Sequence, residues 1–400
     1  MHAVICGAGI AGLSAALSLH RHGWRVSVVE QAPRLRDGGY MIDFFGPGYA
    51  AAERIGVLDA LHALAHEVDA ATWADWNGRV RARLHYARMR QVAQGRLLSL
   101  LRGDLERALF AALPPGVDLR FDARISEIVH REDGVTLRID TGGNGKTGPT
   151  TEEMNADLLV GADGVHSSIR SQVFGTVIDP VRPLGLHTAA WFARADGPVR
   201  DAVGRDFAIM NAPGRMAAGY DVGDERIAAF FVYTDAARHA PVDPLAEIRA
   251  RYRSFGGFVP HLLGIPPQDE VYSDVVAQVQ LPRWHDRRVI LIGDAACAVS
   301  LIAGQGASIA LAMGVALGET LAVSGRDAED GDVDAALAEF EERVRPGVEA
   351  TQANGRRTAA WFVPTNRLRI VLRNAMMRVA DFPPALRLVT PLGALRRERL

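Results

Sequence analysis

A group of glycines and an acidic residue near the amino terminus have the types and spacing of a phosphate-binding turn. The glycines are Gly7, Gly9 and Gly12, and the acidic residue is Glu30. Ala11 and Gln31, which lie beside them, are further candidates for cofactor binding. In a G-x-G-x-x-G turn the first glycine makes a sharp bend, the second lets a pyrophosphate approach the backbone, and the third lets the next helix lie close to the sheet. A carboxylate at the end of the following strand accepts hydrogen bonds from an adenosine ribose. The pattern predicts chemistry that uses a bound dinucleotide.

The residues around these glycines predict the strand, helix and second strand that such a turn requires. Residues 2–6 are apolar, residues 13–22 have a helical composition, and residues 24–29 are rich in β-forming residues. The free amides at the start of the helix would then face the phosphates. Because this context is complete, we interpret the motif as a nucleotide site and not as a merely structural glycine turn.

Two later segments combine glycine with aspartate. Residues 161–170 contain Asp163, and residues 293–296 contain Asp294 directly after the apolar stretch 289–292. At a strand end, Asp294 can accept hydrogen bonds from polyol hydroxyls, and the amides of the helix start that follows can stabilise negative charge. That helix start comprises Gly304, Gln305, Gly306 and Ala307. For Asp163 a structural alternative stays open, because aspartate before glycine is common in turns and at helix caps.

In this order, the three motifs resemble those of the flavin-dependent aromatic hydroxylases, the p-hydroxybenzoate hydroxylase-like group of FAD monooxygenases. The resemblance extends over roughly residues 1–350. It implies FAD as the cofactor, NADPH or NADH as a transiently bound co-substrate, and O2 as the oxidant. It also implies that one oxygen atom is inserted into an electron-rich organic substrate by way of a C4a-hydroperoxyflavin.

The resemblance further implies roles for individual residues. Arg102, at the start of a predicted helix, would contact FAD, and the backbone of Ile125 would lie near the adenine. Asp163 would lie near both FAD and the path of the nicotinamide, and Asp294 would meet the ribityl chain. Without the resemblance, Arg102 is a solvated arginine whose charge opposes the helix dipole. No catalytic residue is identified, because none of the 12 histidines has a distinguishing context.

The chain departs from the family pattern at Cys297, Leu301 and Ser308, where the family has histidine, proline and asparagine. FAD binding rests on the backbone and on Asp294, so we expect it to tolerate these changes. The family's proline, however, lies where substrate and flavin meet. Two alternatives to hydroxylation therefore stay open, namely a flavin-dependent oxidoreductase without oxygenation and a non-catalytic flavin-binding protein that sequesters a product.

Length and pattern predict two domains of different kinds. The expected fold class is α/β with an α+β insert. A Rossmann-like FAD-binding domain is formed by residues 1–175 and 284–350, and an antiparallel β-meander at 176–283 is inserted into it as the substrate domain. Residues 351–400 form a C-terminal helical segment. A pocket between the two domains is the expected site.

Aromatic and apolar residues on the predicted strands of the insert favour a hydrophobic, aromatic or polycyclic substrate. They are Phe207, Met210, Tyr220, Phe230, Phe231 and Tyr233. Because side chains alternate between the two faces of a strand, about half of them point away from any pocket. The pattern does not decide which half.

The overall composition bears on partners and location. The net charge of −2 gives no electrostatic reason to expect nucleic acid, and no metal site is expected. Cys6 and Cys297 lie in segments predicted to be buried, which favours reduced thiols in a cytoplasmic protein. We expect a monomer or a homodimer.

Two segments bear on association with a membrane, which we do not expect. Residues 295–317 carry no charge and are long enough to cross a bilayer, but their glycines and Gln305 favour a buried loop and helix. The C-terminal arginines flank apolar residues in a basic amphipathic helix, which suits a membrane surface or a partner. We favour a helix docked on its own domain with its arginines in solvent. A further glycine pattern at 143–148, with Lys146, is interpreted as a hairpin turn.

Overall fold

The computed structural model describes most of the chain. The described residues are 1–35, 40–142, 150–175, 179–194, 197–300, 304–324 and 333–381. They form two large and two small β-sheets, with helices packed around them.

The first half of the chain alternates between strands and helices. It contains β1 (His2–Cys6), α1 (Ile10–Arg21), β2 (Arg25–Val29), β3 (Met41–Phe45), α2 (Pro47–Ile55), α3 (Leu58–Ala63), β4 (Ala70–Asp75), β5 (Val80–His85), α4 (Tyr86–Val92), β6 (Leu97–Leu101), α5 (Arg102–Ala111), β7 (Val117–Arg120), β8 (Ala123–His130), β9 (Val135–Thr141), β10 (Thr150–Ala156), β11 (Leu158–Gly161) and α6 (Ser168–Phe174). The second half contains β12 (Val181–Arg194), α7 (Pro198–Val203), β13 (Phe207–Ala212), β14 (Arg215–Asp221), β15 (Arg226–Thr234), α8 (Pro244–Tyr252), α9 (Val259–Gly264), β16 (Tyr272–Val279), β17 (His285–Asp286), β18 (Val289–Leu291), α10 (Asp294–Cys297), α11 (Gly306–Ser324), α12 (Val333–Phe362) and α13 (Arg367–Ala380).

The first large sheet is mostly parallel and contains the predicted strand, helix and strand of the nucleotide site. Its strand order is β17-β18-β11-β1-β2-β7, and β1 pairs in parallel with both β2 and β11. Every residue of β1 is buried, as expected for a strand covered on both faces. β18 pairs in parallel with β11, with Leu159 opposite Val289. The chain therefore returns to this sheet after the insert, and the predicted Rossmann-like fold is confirmed.

The second large sheet is mostly antiparallel and contains the predicted β-meander. Its strand order is β16-β12-β15-β14-β13-β4-β5. The last two strands form a hairpin that joins the sheet through a parallel pairing of β4 with β13, with Ala71 opposite Phe207. The sheet therefore draws on residues 70–85 in addition to the predicted range 176–283. The sequence pattern does not reveal this pairing, because it joins segments that are far apart along the chain.

A small antiparallel sheet of β8, β9 and β10 flanks the first domain. Thr141 lies opposite Thr150, so the strands on both sides of 143–148 pair as a hairpin requires. The turn itself, which includes Lys146, lies outside the described residues.

The apolar helix α11 lies in the core of the first domain. Its window Gly306–Val323 has a mean hydropathy of 1.6, which suits a membrane span, but 72% of that window is buried inside the protein. α11 packs closely on α1, because a Cβ on Gly314 would lie 2.6 Å from the Ala15 amide nitrogen. The uncharged stretch 295–317 thus leads into a core helix, as the sequence predicts.

The C-terminal helices pack on both domains. α12 contacts α11, and α13 lies against β5, where Met377 and Ala380 join the hydrophobic cluster of the second sheet. One expectation from the sequence is wrong. Arg373 does not lie in solvent, because it is 1% exposed and donates a hydrogen bond to Asn211. The physical reason is that amide oxygens are available inside the fold to accept its N–H groups.

Candidate active site

The glycine turn after β1 has a geometry that requires glycine. Gly7 has φ +108°, and a Cβ there would lie 2.5 Å from the Ala162 carbonyl oxygen. A Cβ on Gly12 would collide with the Gly7 carbonyl oxygen. Gly9 precedes α1 in an extended conformation, and the nearest described atom to its missing Cβ is Glu106 Oε1 at 3.6 Å. The backbone at Gly9 is therefore open to an approaching group.

Glu30 closes this turn from the end of β2. Its Oε2 accepts a hydrogen bond from the Ala8 amide, and its Oε1 accepts one from the Ala32 amide, both at 2.8 Å. The carboxylate therefore lies directly beside the glycine turn. Gln31, the next residue, is exposed.

Ile125 lies on a strand that begins beside Glu30. The Ala123 amide, at the start of β8, donates to the Glu30 carbonyl oxygen at 3.0 Å. The Ile125 side chain is buried, and its carbonyl oxygen accepts a hydrogen bond from Gln172 Nε2 at 3.3 Å. The structure thus brings the neighbourhood of Ile125 to the Glu30 end of the site.

Asp163 stabilises the start of α6. Its carboxylate accepts hydrogen bonds from the Ser167 hydroxyl at 2.5 Å, the Ser168 amide at 2.7 Å and the Ile169 amide at 3.1 Å. These bonds satisfy helix-start amides, which is the structural role that the sequence left open for this residue. Burial raises the pKa of the nearby Cys6 thiol, and the Asp163 carboxylate raises it further.

Direct contacts bring the three motifs together. The first and second motifs already meet at the glycine turn. A Cβ on Gly293 would lie 2.7 Å from the Ala11 Cβ, so the third motif rests on the first turn of α1. The buried Arg170 joins the second motif to the third, because it donates to the Val165 carbonyl oxygen at 2.7 Å and to the Ala295 carbonyl oxygen at 2.9 Å. Segments that are far apart in sequence therefore form one site.

Asp294 lies in a region that we call the cleft, which we define by Asp294, Arg102, Glu106 and Gly9. Its side chain is exposed to solvent, yet the surrounding protein is close enough that desolvation raises its pKa, which the Arg102 guanidinium partly opposes and Asp274 further raises. Arg102, the first residue of α5, pairs with Glu106 at 2.8 Å, and this carboxylate raises the pKa of the guanidinium despite desolvation. Glu106 also faces Gly9. Glu106 and Arg102 therefore link the glycine turn to Asp294.

Three aromatic residues, Tyr40, Phe230 and Tyr272, form an aromatic wall at this cleft. The Tyr40 ring centroid lies 5.8 Å from that of Phe230 and 6.1 Å from that of Tyr272. Burial raises the pKa of Tyr40 to about 12, with smaller contributions from Arg102 and Asp294. Tyr272 is 38% exposed, but desolvation by the neighbouring protein still raises its pKa. Because Tyr40 interacts electrostatically with both charged groups, the aromatic wall stands beside them.

The structure decides which face of the second sheet borders the cleft. Among the six residues predicted from the sequence, those that pack towards β3 and β6 are Phe207, Tyr220 and Phe230. Those that pack under helices α7, α8 and α9 are Met210, Phe231 and Tyr233. On β15, Phe231 packs against Trp191 and Tyr252 with ring centroids 5.0 and 4.9 Å away, while its neighbour Phe230 belongs to the aromatic wall. Adjacent residues therefore have different roles.

The predicted helix start at 304–307 lies against the start of α2. Gly304 has φ +67°, and the Gln305 carbonyl oxygen accepts the Ile309 amide at 2.9 Å. A Cβ on Gly48 would lie 2.5 Å from the Ser308 Cα, so the two helix starts are in close contact. Gly306 and Ala307 form the first turn of α11.

Three residues mark the departures from the family pattern. Cys297 is a buried free thiol whose pKa is raised by burial. Ser308 is buried, and its Oγ has no hydrogen-bond partner among the described residues. Leu301 lies outside the described residues.

Four residues of the cleft are absent from the sequence prediction: Tyr40, Glu106, Tyr272 and Asp274. Tyr40 precedes β3 in a segment without a motif, and Tyr272 and Asp274 open an ordinary strand. A signal was available for Glu106, because it follows Arg102 by four residues and such a pair lies on one face of a helix. Asp274 also approaches the second motif, since its Oδ2 lies 3.6 Å from His166 Nε2.

Similarities to known proteins agree with this geometry. A family model described as an FAD binding domain matches residues 1–351. The chain is 32% identical over 337 residues to the uncharacterized protein Rv1260 of Mycobacterium tuberculosis, covering 81% of this chain and 86% of that protein. It is 29% identical over 379 residues to the 3-amino-4-hydroxybenzoate 2-monooxygenase PtmB3 of Streptomyces platensis, covering 91% and 90%.

A solved structure has the same architecture. Klebsiella pneumoniae HpxO, complexed with FAD and uric acid, superposes with a TM-score of 0.79 over 98% of this chain and 97% of that chain, at 20% sequence identity. At this level of identity the likeness shows the fold. The family match spans all three motifs, and several relatives are named flavin-dependent monooxygenases. The chain therefore belongs to the FAD binding domain family, and it is an FAD-dependent monooxygenase of the aromatic hydroxylase kind.

Proposed function

We propose that this protein hydroxylates a hydrophobic aromatic small molecule, with NADPH or NADH as the electron donor and O2 as the source of oxygen. The observation that carries this proposal is the aromatic wall beside Arg102 and Asp294. Flat apolar rings offer favourable stacking and edge contacts to an aromatic ligand. The pairing of Arg102 with Glu106 at 2.8 Å also balances the positive charge at this end of the cleft, which favours an uncharged or phenolic substrate.

In this proposal FAD lies along the cleft, with its adenosine at Gly9 and Glu30 and its ribityl chain at Asp294. The Glu30 carboxylate accepts hydrogen bonds from two backbone amides. Its remaining lone pairs can accept a further hydrogen bond from a ribose hydroxyl. Two further groups, on either side of the predicted helix start at 304–307, would suit a polar ligand. The Oγ atoms of Ser300 and Ser308 are buried without a hydrogen-bond partner among the described residues, and such atoms cost free energy unless a ligand or water satisfies them.

The other predicted residues receive more limited roles. We assign Gln31 and the backbone of Ile125 to the adenosine end, and Arg102 to the neighbourhood of the flavin. The first turn of α11, from Gly304 to Ala307, would direct its free amides at the flavin ring. Asp163 is assigned a positioning role, because its carboxylate already accepts several donors from the loop and from α6.

The chain's own residues orient the reactants and exclude water. When bound, FAD would accept a hydride from the nicotinamide and activate O2. The aromatic wall would hold the substrate ring in one plane and keep water from the reacting carbon. Asp294 would fix the position of the ribityl chain by accepting hydrogen bonds from its hydroxyls. We further propose a cytoplasmic location, because both cysteines of the chain are free and buried.

Oxidation of NADPH and NADH by the purified FAD-loaded protein tests this function. Phenols of one to four fused rings would be screened for stimulation of oxygen consumption in an oxygen electrode. Products formed from isotopically labelled O2 would be analysed by mass spectrometry. We expect stimulated oxidation and a product that carries one labelled oxygen atom. Stimulated oxidation that yields hydrogen peroxide and no oxygenated product would overturn hydroxylation in favour of an oxidoreductase without oxygenation.

A further inference from the structure

The helix α13 exposes its apolar side. Its buried residues are Ile370, Arg373, Asn374, Met377 and Ala380, and two of these are polar. Its exposed large apolar residues, which we call the apolar stripe, are Leu368, Val371, Leu372, Met376 and Val379, each 40% to 68% exposed. Among the described residues, no other helix or strand carries more than one exposed large apolar side chain. The apolar stripe is therefore a feature of this helix and not a general property of the surface.

Buried polar contacts fix which side of α13 faces inward. Arg373 is 1% exposed, and its guanidinium donates to Asn211 Oδ1 at 2.9 Å and to Asn374 Oδ1 at 2.8 Å. Burial lowers the pKa of Arg373 to about 10. Rotating the helix to bury the apolar stripe would break these bonds and leave Asn211, itself fully buried on β13, without them. The outward position of the apolar stripe is thus set by the fold.

Arginines border the apolar stripe on both sides. At about 100° per residue, Arg369 falls on one flank of the stripe, and Arg367 and Arg378 fall on the other. The second flank is anchored to the protein, since the Arg367 guanidinium lies 5.2 Å from the Trp76 ring centroid and Arg378 Nε donates to the Arg81 carbonyl oxygen at 2.5 Å. The cations therefore form a rim at the level of the apolar side chains.

The charged residues within the segment that carries the apolar stripe have a single sign. No acidic residue occurs between Glu349 and Asp381, whereas six arginines do. A long cationic side chain can place its stem along an apolar phase and its charge among anionic headgroups. An apolar face with arginines on both flanks is the arrangement of helices that lie in a membrane interface. A partner helix of this chain would instead bring two sets of like charges together.

We propose that α13 docks this enzyme reversibly on an anionic lipid surface, with the helix axis in the plane of the membrane and the apolar stripe inserted below the headgroups. This inference is independent of the proposed substrate, and it replaces the expectation from the sequence that the chain does not associate with a membrane. The two contributions are separable, because burial of the apolar stripe supplies affinity that salt does not screen, and the arginine rim supplies attraction that salt weakens.

Co-sedimentation of the FAD-loaded full chain with vesicles tests the proposal. Vesicles of phosphatidylcholine with phosphatidylglycerol would be compared with vesicles of phosphatidylcholine alone, at low and high salt. We expect binding to the anionic vesicles, weaker binding at high salt, and much weaker binding to the neutral vesicles. Equal sedimentation with and without either vesicle would overturn the proposal.

Matched variants assign the binding to α13. The double variant V371Q/L372Q should lower the vesicle partition coefficient by at least about tenfold, while V129Q/V242Q, which changes exposed apolar residues elsewhere, should leave it unchanged. R369Q should lower it about fivefold, and R124Q, whose side chain is 72% exposed on β8, should not. Flavin absorbance and Tm confirm that each variant is folded.

Two further outcomes identify a different occupant of the apolar stripe. In the first, light scattering shows a dimer that V371Q/L372Q abolishes, and the wild-type protein does not bind vesicles. The occupant is then a second copy of the chain, and the proposal fails. If vesicles bind only after residues 382–400 are deleted, that segment covers the stripe and the proposal fails for the full chain. Residues 382–400 contain four more arginines, so the full chain should bind anionic vesicles at least as well as the truncated one.

Discussion

The two large sheets contribute to the cleft by different means. The parallel sheet contributes backbone. A Cβ on Gly7 or Gly12 would meet other backbone atoms, whereas the backbone at Gly9 is open to an approaching ligand. The antiparallel sheet contributes side chains, and the aromatic wall takes Phe230 from β15 and Tyr272 from β16. The first contribution depends on the path of a few consecutive residues. The second depends on which strands become neighbours and which face they turn to the cleft.

This difference determines how each region tolerates change. A backbone site fails when any atom is added at a glycine, because the neighbouring atoms are themselves fixed by the sheet. A side-chain site changes gradually, because each residue contributes one part of a surface. We therefore expect substitutions in the first region to weaken or abolish FAD binding and substitutions in the second to alter substrate affinity.

The largest effect is expected for Gly12→Ala. The new methyl group would overlap the Gly7 carbonyl oxygen, so α1 must move away from β1, and we expect a loss of about 3 kcal/mol or more in unfolding free energy. The variant should purify without flavin. Flavin absorbance per mole of protein and thermal unfolding measure the two consequences.

Two other glycines serve as controls for that substitution. Gly9→Ala adds a methyl group 3.6 Å from Glu106 Oε1, so it should keep the fold while weakening FAD binding. Gly264→Ala adds one where no described atom lies within 4 Å and should change neither property. A yellow Gly12→Ala protein with wild-type Tm would remove the distinction between the two sheets.

The next largest effect separates the two faces of β15. Phe231→Ala removes a fully buried ring that packs on Trp191 and Tyr252, and we expect it to lower the unfolding free energy by about 3–5 kcal/mol without changing substrate KM. Phe230→Ala removes a half-buried ring of the aromatic wall. We expect it to raise substrate KM roughly tenfold with a smaller loss of stability.

Chemical denaturation and steady-state kinetics of the two alanine variants decide between these expectations. Because the two residues are identical in type and adjacent in sequence, a difference between them arises from the face that each occupies. If both variants lost stability equally and kept the same KM, the aromatic wall would not be part of the substrate site.

The sequence predicts the parts of the site that depend on local structure. The glycine turn follows from residues 7–12, and the return of the chain to the first sheet follows from the apolar strand before Asp294. Glu30 is also predicted, because it directly follows β2, the strand after α1. In each case the relevant neighbours lie within about thirty residues in a βαβ unit or in one uninterrupted strand.

The parts that depend on contacts between distant segments could not be predicted. Tyr40 gains its role from rings on β15 and β16, and the hairpin of β4 and β5 joins the second sheet through β13. The inward position of Arg373 depends on Asn211, 162 residues away. Hydrophobic periodicity describes a helix or strand by itself, and it contains no information on which polar acceptor another segment will offer.

A smaller effect, on the affinity for FAD, is expected for Asp294→Asn. This residue lies beside the aromatic wall and beside the first turn of α1. Asn keeps the shape of the side chain but removes the charge that strengthens hydrogen bonds to the ribityl hydroxyls. We expect the Kd for FAD to rise about ten- to a hundredfold. Fluorescence titration of the apoprotein with FAD measures the change. Asp206→Asn is the control, because Asp206 is paired with Arg83 at 2.9 Å and should leave FAD affinity unchanged.

The smallest effect is expected for the pH dependence of Tm when Asp294 is replaced in the apoprotein. Although Asp294 is exposed, desolvation by the surrounding protein raises its pKa. Its contribution to stability is therefore fully present below the pKa of the unfolded chain, about 3.9, and is lost as pH rises through the higher folded value. Asp294→Asn abolishes this loss. The apo variant should therefore have a higher Tm than the wild type at neutral pH, and the two should converge in acid.

Asp75, which lies outside the cleft, has a pKa shift opposite in direction to that of Asp294. Burial works against its ionised form, but hydrogen bonds from Arg81, Arg79 and Asn77 outweigh this and lower its pKa. Its stabilising contribution is present at neutral pH and is lost as pH falls through the folded value. Asp75→Asn should therefore lower Tm at neutral pH. Scanning calorimetry of the apoproteins from pH 4 to 8 should show Tm differences of opposite sign for the two variants. If both variants lowered Tm at neutral pH, Asp294 would not be desolvated in the apoprotein.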